Sequence, residues 1–252
     1  MSKMSSKDVF GKAILDASRG KKVTIKMRRD DDRVDEENGS YYFTNFDQFP
    51  PIEQKAMSLV QGLVLDVGCG AGRHALYLQK KGLNVVALDI SHFAIKVAYQ
   101  RGVNNSIQAA APKIPFKNET FDTILLMYNN FGICGDYQET IKFLKELKRI
   151  LKPNGIILAS SLHATLTIDE SHLKYHEANR KKGLPSGLVK IRLEYNDEAT
   201  EWFKLLLASP EEMKMLSKKA NLELGKTMGP ANGPFYIGII KKSCLTSKVK
   251  NV

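Results

Sequence analysis

The chain has 252 residues, 43% hydrophobic and 26% charged, enough for one globular domain with an insertion or for one domain plus a small cap. No apolar run approaches the ~18 residues that cross a bilayer, and residues 1–20 lack the apolar stretch of a secretory signal, so a soluble, cytoplasmic protein without membrane contact is expected. The net charge of +11 would favour polyanions, but it is mostly lysine scattered over predicted helix faces, with no dense Arg/Lys block interleaved with aromatics; surface solubilisation is the simpler reading, nucleic acid the alternative partner.

Residues 1–40 are polar, with the mixed run Arg28-Arg29-Asp30-Asp31-Asp32-Arg33 and no sustained apolar period, so an arm free to move without ligand is expected. Within it, residues 9–17 predict a short amphipathic helix with Val9, Phe10, Ala13, Ile14 and Ala17 on one face, and Tyr41-Tyr42-Phe43 ends the arm with an aromatic cluster. Pro50-Pro51 announces a helix from about Ile52 to the stop at Gln61-Gly62. From there strands and helices alternate. Residues 63–67 are apolar except for Asp66, as expected of a central parallel strand covered on both faces. A helix over 72–81 stops at Gly82, and a second strand over 85–88 ends at Asp89. Ser91 caps a helix running to Arg101, followed by a weak strand over 106–109 and a strong one over 121–127. Residues 137–151 predict a helix, Lys152-Pro153-Asn154-Gly155 a turn, and 156–160 the fifth strand.

Past Ser161 the rhythm breaks. Residues 161–187 are rich in His, Lys, Gly and Ser, and 188–195 and 200–208 predict an inserted hairpin joined by Asn196-Asp197-Glu198-Ala199. Ser209-Pro210-Glu211-Glu212 opens a helix to Lys219, and 222–227 and 235–240 supply two last strands. Because each parallel pair needs a crossover, the pattern predicts an α/β fold: a doubly wound, Rossmann-like, seven-stranded, mainly parallel sheet with an inserted β-hairpin cap after strand five. Cys69, Cys134 and Cys244 form no CxxC pair or zinc spacing, and their odd number predicts reduced thiols.

The chemistry-bearing segment is Asp66-x-Gly68-x-Gly70-x-Gly72 between a strand and a helix. Such a turn lets a ligand lie directly on the backbone, and Asp89, ending the next strand, can accept hydrogen bonds from both hydroxyls of a ribose. Gly70-Ala71-Gly72-Arg73-His74-Ala75 also satisfies the GxGxxG/A pattern of dinucleotide dehydrogenases. Against that reading stand the three alternating glycines, the lack of a separate catalytic domain, and Asp66, which suits an ammonium group and would repel a pyrophosphate.

Val64-Leu65-Asp66-Val67-Gly68-Cys69-Gly70-Ala71-Gly72-Arg73 resembles the first motif of class I S-adenosylmethionine-dependent methyltransferases, and Asp89 is similar to the acid closing their second strand. Pro115-Phe116-Lys117-Asn118-Glu119-Thr120-Phe121-Asp122 resembles their PF-x-x-x-x-FD segment, and Leu151-Lys152-Pro153-Asn154-Gly155 the segment before their fifth strand. The likeness spans about residues 50–160. It implies S-adenosyl-L-methionine as cofactor and S-adenosyl-L-homocysteine as product, with Gly68, Cys69, Gly70, Gly72 and Arg73 around the methionine and ribose, Asp66 near the amino group and Asp89 on the ribose. Many relatives carry an acid where this chain has Ala110, so backbone groups around Ala109, Ala110 and Ala111, with Ile90 and Ile114 as apolar walls, are expected at the adenine. Arg73-His74 followed by Leu76-Tyr77-Leu78 also resembles the tellurite-resistance type of small methyltransferase.

Methyl transfer is an in-line displacement, so the protein must mainly align the nucleophile and exclude water. The acceptor is expected beyond the carboxyl end of strand 121–127, at Tyr128-Asn129-Asn130-Phe131-Gly132. Asn129 and Asn130 are expected to hydrogen-bond the acceptor or the methionine end, or alternatively to cap the next turn; Tyr128 and Phe131 supply walls. The segment lacks the Asn/Asp-Pro-Pro-Tyr/Phe signature of many DNA and protein amino-group methyltransferases. Tyr41 of the arm folds over the cofactor or packs in the core, and Trp202-Phe203 roofs the acceptor or packs on its strand. His163, just after strand five, is the candidate general base ahead of His172 and His176, which lack a third ligand for a metal and default to solvent. The expected organisation is an arm or lid over 1–49 and a class I methyltransferase domain over 50–252, with 161–208 as inserted substrate cap. A small molecule is the expected acceptor; an RNA or protein methyltransferase and a non-catalytic cofactor-binding module are the alternatives.

Overall fold

The structure, a computed structural model, describes residues 8–111, 113–230 and 233–243; Cys244 and the first seven residues of the arm lie outside them. The described arm is ordered into regular elements. The Asp8 carboxylate accepts from the Gly11 amide at 2.9 Å and caps α1 (Val9–Ser18), which buries Val9, Ala13 and Ile14. β1 (Thr24–Arg29) and β2 (Val34–Asn38) then pair antiparallel. Their composition hid them: β2 reads Val-Asp-Glu-Glu-Asn and buries no side chain, the charged habit of an edge strand. Two 3-10 turns (Gly39–Phe43 and Phe46–Gln48) lead to α2 (Pro51–Met57).

The alternation follows in the expected order: β3 (Leu63–Val67), α3 (Arg73–Lys80), β4 (Asn84–Asp89), α4 (His92–Gln100), β5 (Asn105–Gln108), β6 (Phe121–Leu126), α5 (Tyr137–Ile150) and β7 (Leu151–Leu162). Residues 152–155 are not a separate turn. β7 runs through them, and its pairing with β6 jumps from Phe121↔Leu151 to Thr123↔Ile156, so the extra residues bulge out of register.

The insertion opens with an unexpected helix, α6 (Glu170–Lys181), capped by Asp169. Only His176 and Asn179 are buried along it, so it has no apolar stripe to betray it. β8 (Leu188–Tyr195), β9 (Glu198–Ala199) and β10 (Phe203–Leu206) complete it. β8 pairs with β1 as well as β10, so arm and insertion build one antiparallel sheet in the order β10-β8-β1-β2. α7 (Pro210–Lys219), with the expected capping box of Ser209 and Glu212, leads to β11 (Leu222–Met228) and β12 (Phe235–Lys242).

The main sheet has seven strands in the order β11-β12-β7-β6-β3-β4-β5, parallel from β7 to β5, with β12 antiparallel to its neighbours. Period-two alternation divides its core. Leu65, Val67, Ile124 and Leu126 face α5 and α7, while Val64, Leu125 and Met127 face α2 and α3. Asp66 is the one polar side chain of β3. No helix among the described residues is long and apolar enough to cross a membrane.

Candidate active site

At the carboxyl edge of the main sheet, the Gly68 and Cys69 amides both donate to the Leu88 carbonyl, at 2.7 and 3.0 Å, and fold the chain back over β4. Gly68 and Gly70 have φ of +72° and +54°, which only glycine adopts freely. A Cβ on Gly68 would overlap the Asn130 amide, whose Nδ2 donates to the Val67 and Gly68 carbonyls at 2.9 and 3.3 Å. Asn130 thus braces the loop. A Cβ on Gly70 would stand 3.4 Å from the Tyr42 ring, so the arm lies directly on this turn. Gly72 makes room for Ala98 and Val103 and serves helix packing.

Two buried acids flank the loop. Asp89 accepts from the Gly70 amide through Oδ2 at 2.8 Å and from the Ser91 amide through Oδ1 at 2.9 Å. Burial outweighs these bonds and pushes its carboxyl up to about 6. Each oxygen retains lone-pair capacity for a diol. Asp66 is 1% exposed, and its Oδ2 has no hydrogen-bond partner. Burial raises its carboxyl too, against the opposing influence of His74, Arg73 and the Ala75 amide. An orphaned acceptor of this kind costs about 1–3 kcal/mol until a donor reaches it. One buried acid short of a donor and one with two oxygens fixed side by side fit the ammonium and ribose of the cofactor that the sequence resemblance implies.

Beside them lies a second buried cluster. Glu53 pairs with Arg73 at 2.8 Å and His74 at 3.0 Å and accepts from the Tyr41 hydroxyl at 3.3 Å. Burial pushes the Glu53 carboxyl up, but the His74 hydrogen bond and the charges of His74 and Arg73 prevail, leaving it below the usual range. Arg73 also donates to Tyr41 at 3.0 Å and stacks on the Tyr41 and Phe49 rings, so it secures the arm to α3. Tyr41 lies 5.1 Å from Tyr128, and burial pushes its phenol up to about 12.

The chain leaves β6 under strain. Tyr128 and Asn129 take consecutive left-handed conformations, φ +57° and +65°, which a tyrosine adopts at a cost of about 1–3 kcal/mol. The Asn129 Oδ1 is buried without a partner. Tyr128 donates to Glu37 of β2, which also accepts from Tyr42 at 2.9 Å.

The remaining expected residues are less gathered. The Cys69 side chain turns into the core, where burial raises its thiol well above the usual value, leaving only its backbone for a ligand. Ile90 is 55% exposed next to Asp89; Ala110 is exposed and Ala111 half-buried beyond β5, where the Ala109 amide donates to the Asp89 carbonyl. His163 bonds Thr165 at 3.1 Å and stands 3.9 Å from Glu211, while its amide donates to Pro234; its partners belong to the β12 side, not the glycine loop. His172 and His176 stack on α6, but His176 is buried rather than solvent-facing. Trp202 makes cation–π contacts with Arg192 and Lys190 of its own hairpin. Among the described residues no group of three His, Cys, Asp or Glu is arranged to hold a metal ion.

Sequence reasoning passed over Asp8, Glu37 and Glu53. Asp8 carried a signal, an acid just ahead of an apolar helical stripe; its Oδ2 accepts from the Ser91 hydroxyl and the Phe93 amide at 2.9 and 3.1 Å and docks α1 on α4. Glu37 and Glu53 carried none, because neither sits in a motif and Tyr128, Arg73 and His74 reach them only through the fold.

Residues 65–159 match the methyltransferase domain family. An S-adenosylmethionine-dependent methyltransferase of Bacteroides fragilis, crystallised with S-adenosyl-L-homocysteine, shares the fold at a TM-score of 0.80 and 28% identity, over 94% of this chain and 95% of that one. A malonyl-(acyl-carrier protein) O-methyltransferase of Salmonella typhimurium is 34% identical over 102 residues, 39% of this chain and 38% of its own. A ubiquinone biosynthesis O-methyltransferase of Pelagibacter ubique is 30% identical over 170 residues, 66% of this chain and 63% of its own. The chain therefore spans less than two thirds of either curated relative. Sheet order, glycine loop and paired acids agree with these matches: residues 65–159 carry a methyltransferase domain, in a fold shared with S-adenosylmethionine-dependent methyltransferases.

Proposed function

We propose that the chain transfers the methyl group of S-adenosyl-L-methionine to a small-molecule acceptor and releases S-adenosyl-L-homocysteine. The observation that carries this reading is the pair of buried acids, Asp66 with its unpartnered Oδ2 and Asp89 with both oxygens steadied by backbone amides. When bound, the cofactor supplies a methyl group on a sulfonium, an electrophile that needs only in-line approach. The chain's own residues then bind and exclude. Asp89 takes the ribose diol, Asp66 the ammonium, and Asn130 keeps the Gly68 turn in shape. Tyr42, lying over Gly70, keeps water from the loop, and the sheet of β10, β8, β1 and β2 acts as the cap.

A small acceptor is supported by the position of one basic cleft. Lys145, Lys148 and Lys242 line an open cleft of about 610 Å³ with Asn118 and Glu119, at the amino end of β6, opposite the glycine loop. A polymer gripped there would not reach the carboxyl edge. The name of the Pelagibacter relative, an enzyme of ubiquinone biosynthesis, points the same way.

Calorimetry with S-adenosyl-L-methionine and S-adenosyl-L-homocysteine is the test: both should bind, and no detectable heat from either at millimolar concentration would sink the proposal. Asp89→Ala should weaken the product about 100-fold, roughly 2.7 kcal/mol. In the wild type, affinity should hold above pH 7 and decline as pH falls through about 6, where Asp89 takes a proton and loses an acceptor for the diol.

A further inference from the structure

We propose that the acceptor is an amine arriving as its ammonium cation, and that Glu37, bordered by Tyr41, Tyr42 and Tyr128, is the carboxylate that receives it and takes its proton; this rests on the methyltransferase reading above.

Glu37 is the one acid of β2 that turns inward. It pairs across the hairpin with Ile25, which is buried with Ala13 and Val23 against Phe10 and Tyr42, whereas Glu36 and Asp35 beside it are exposed. An apolar residue would suit that face better, and a half-buried carboxylate there costs free energy unless it is used. Its hydrogen bonds come from the Tyr42 and Tyr128 hydroxyls. Among the described residues it joins no ion pair; Arg73, the cation whose charge reaches it, is committed to Glu53 at 2.8 Å. Glu37 therefore lacks a cation of its own.

Its two tyrosines connect it to the reaction. Tyr42 lies over Gly70, and Tyr128 is the strained residue just past β6, where the acceptor is expected. The three rings stand within 6.0 Å of one another, and their π faces attract a cation, as does the carboxylate. A carboxylic acid or phosphate ester would be repelled by Glu37 and Asp66 together, and a neutral alcohol could take a hydrogen bond from Glu37 but would gain neither the charge attraction nor the cation–π contact.

An ammonium cannot attack until it loses a proton. That proton passes to the Glu37 carboxylate, and the freed nitrogen lone pair forms the N–C bond as the C–S bond breaks and leaves its electron pair on sulfur. Positive charge moves from sulfur to nitrogen, and Glu37 returns its proton to solvent. Burial raises the Glu37 carboxyl against the Tyr128, Tyr42 and Arg73 contributions, which improves it as a proton acceptor.

The test uses the full chain with cofactor labelled at the methyl group and a matched panel: alkyl and aryl amines and short peptides with a free N-terminus, against isosteric alcohols, phenols, carboxylates and thiols. Mass spectrometry should find the label on nitrogen, and the small-amine and peptide arms identify the source. Label only on oxygen or sulfur, or no amine methylated while S-adenosyl-L-homocysteine binds, overturns the proposal; no binding of S-adenosyl-L-homocysteine overturns the methyltransferase reading instead. Glu37→Gln should bind the product within about threefold of wild type yet lose about 100-fold in kcat/KM at pH 7. The deficit should shrink below tenfold at a pH where the amine is already neutral. A deficit equal at every pH, or one matched by lost product affinity, assigns Glu37 a structural role and overturns its part in the reaction.

Discussion

β3 and β6 of the main sheet bury Leu65, Ile124, Leu125 and Leu126 completely, whereas β2 of the cap sheet buries no side chain and β1 buries only Ile25 and Arg29. Beside the small apolar cluster of Ala13, Val23 and Ile25, the cap is tied by charge. Arg28 pairs with Glu194 at 2.7 Å across β1 and β8, Arg33 reaches Asp169 at 3.1 Å, and Lys12 joins Glu198 at 2.7 Å. Arg29 is the centre of this wiring: it grips Asp31, contacts His172 at 2.9 Å and lies over the Tyr175 ring, connecting the hairpin to α6. The difference has a functional sense. A cofactor platform gains from rigid apolar packing, while a cover that must admit an acceptor gains from contacts that open at lower cost.

The comparison can be broken at three places. Leu125→Ala, in the middle of the main sheet, should cost about 3–5 kcal/mol and lower the unfolding midpoint of the whole chain in a denaturant titration. Arg29→Met should cost about 2 kcal/mol and act locally: hydrogen exchange should accelerate in residues 24–38 and 170–181 and stay unchanged in 63–67 and 121–126. Equal acceleration in both sheets would mean that the cap is no separate unit. The smallest effect is that of pH. Burial, then the charges of Arg33 and Arg29, lowers His172 from its ordinary value of 6.5, and burial with His172 lowers His176. Folding holds both rings neutral, so their contribution is intact above pH 6.5 and is lost as pH falls below it, because the opened state then binds the protons. Exchange in α6 should rise on the order of threefold between pH 7 and 5.5 relative to the main sheet, and a flat ratio would mean that the histidines do not help to hold α6 to the hairpin.

The same contrast explains what could be read beforehand. Residues 63–67 and 121–126 are mainly apolar runs that each pair with the strand one crossover further on, and Gly68, Gly70 and Asp89 sit at strand ends where local geometry assigns them a task. β1, β2 and α6 defeated the same reading because polar and charged residues dominate them, and their periodicity reports solvent rather than core. His163 and Trp202, attractive by position in the chain, found partners in Glu211 and Arg192 away from the loop.

By itself, then, the sequence determined the seven-stranded sheet, the glycine turn and its two acids, since backbone conformation and apolar periodicity are local properties. Only the tertiary structure decided that arm and insertion share one sheet, that Asn130 braces Gly68 and that Glu37 meets Tyr128. Those contacts join residues far apart in the chain, and hydrogen bonds between charged or polar side chains leave no repeating pattern along it.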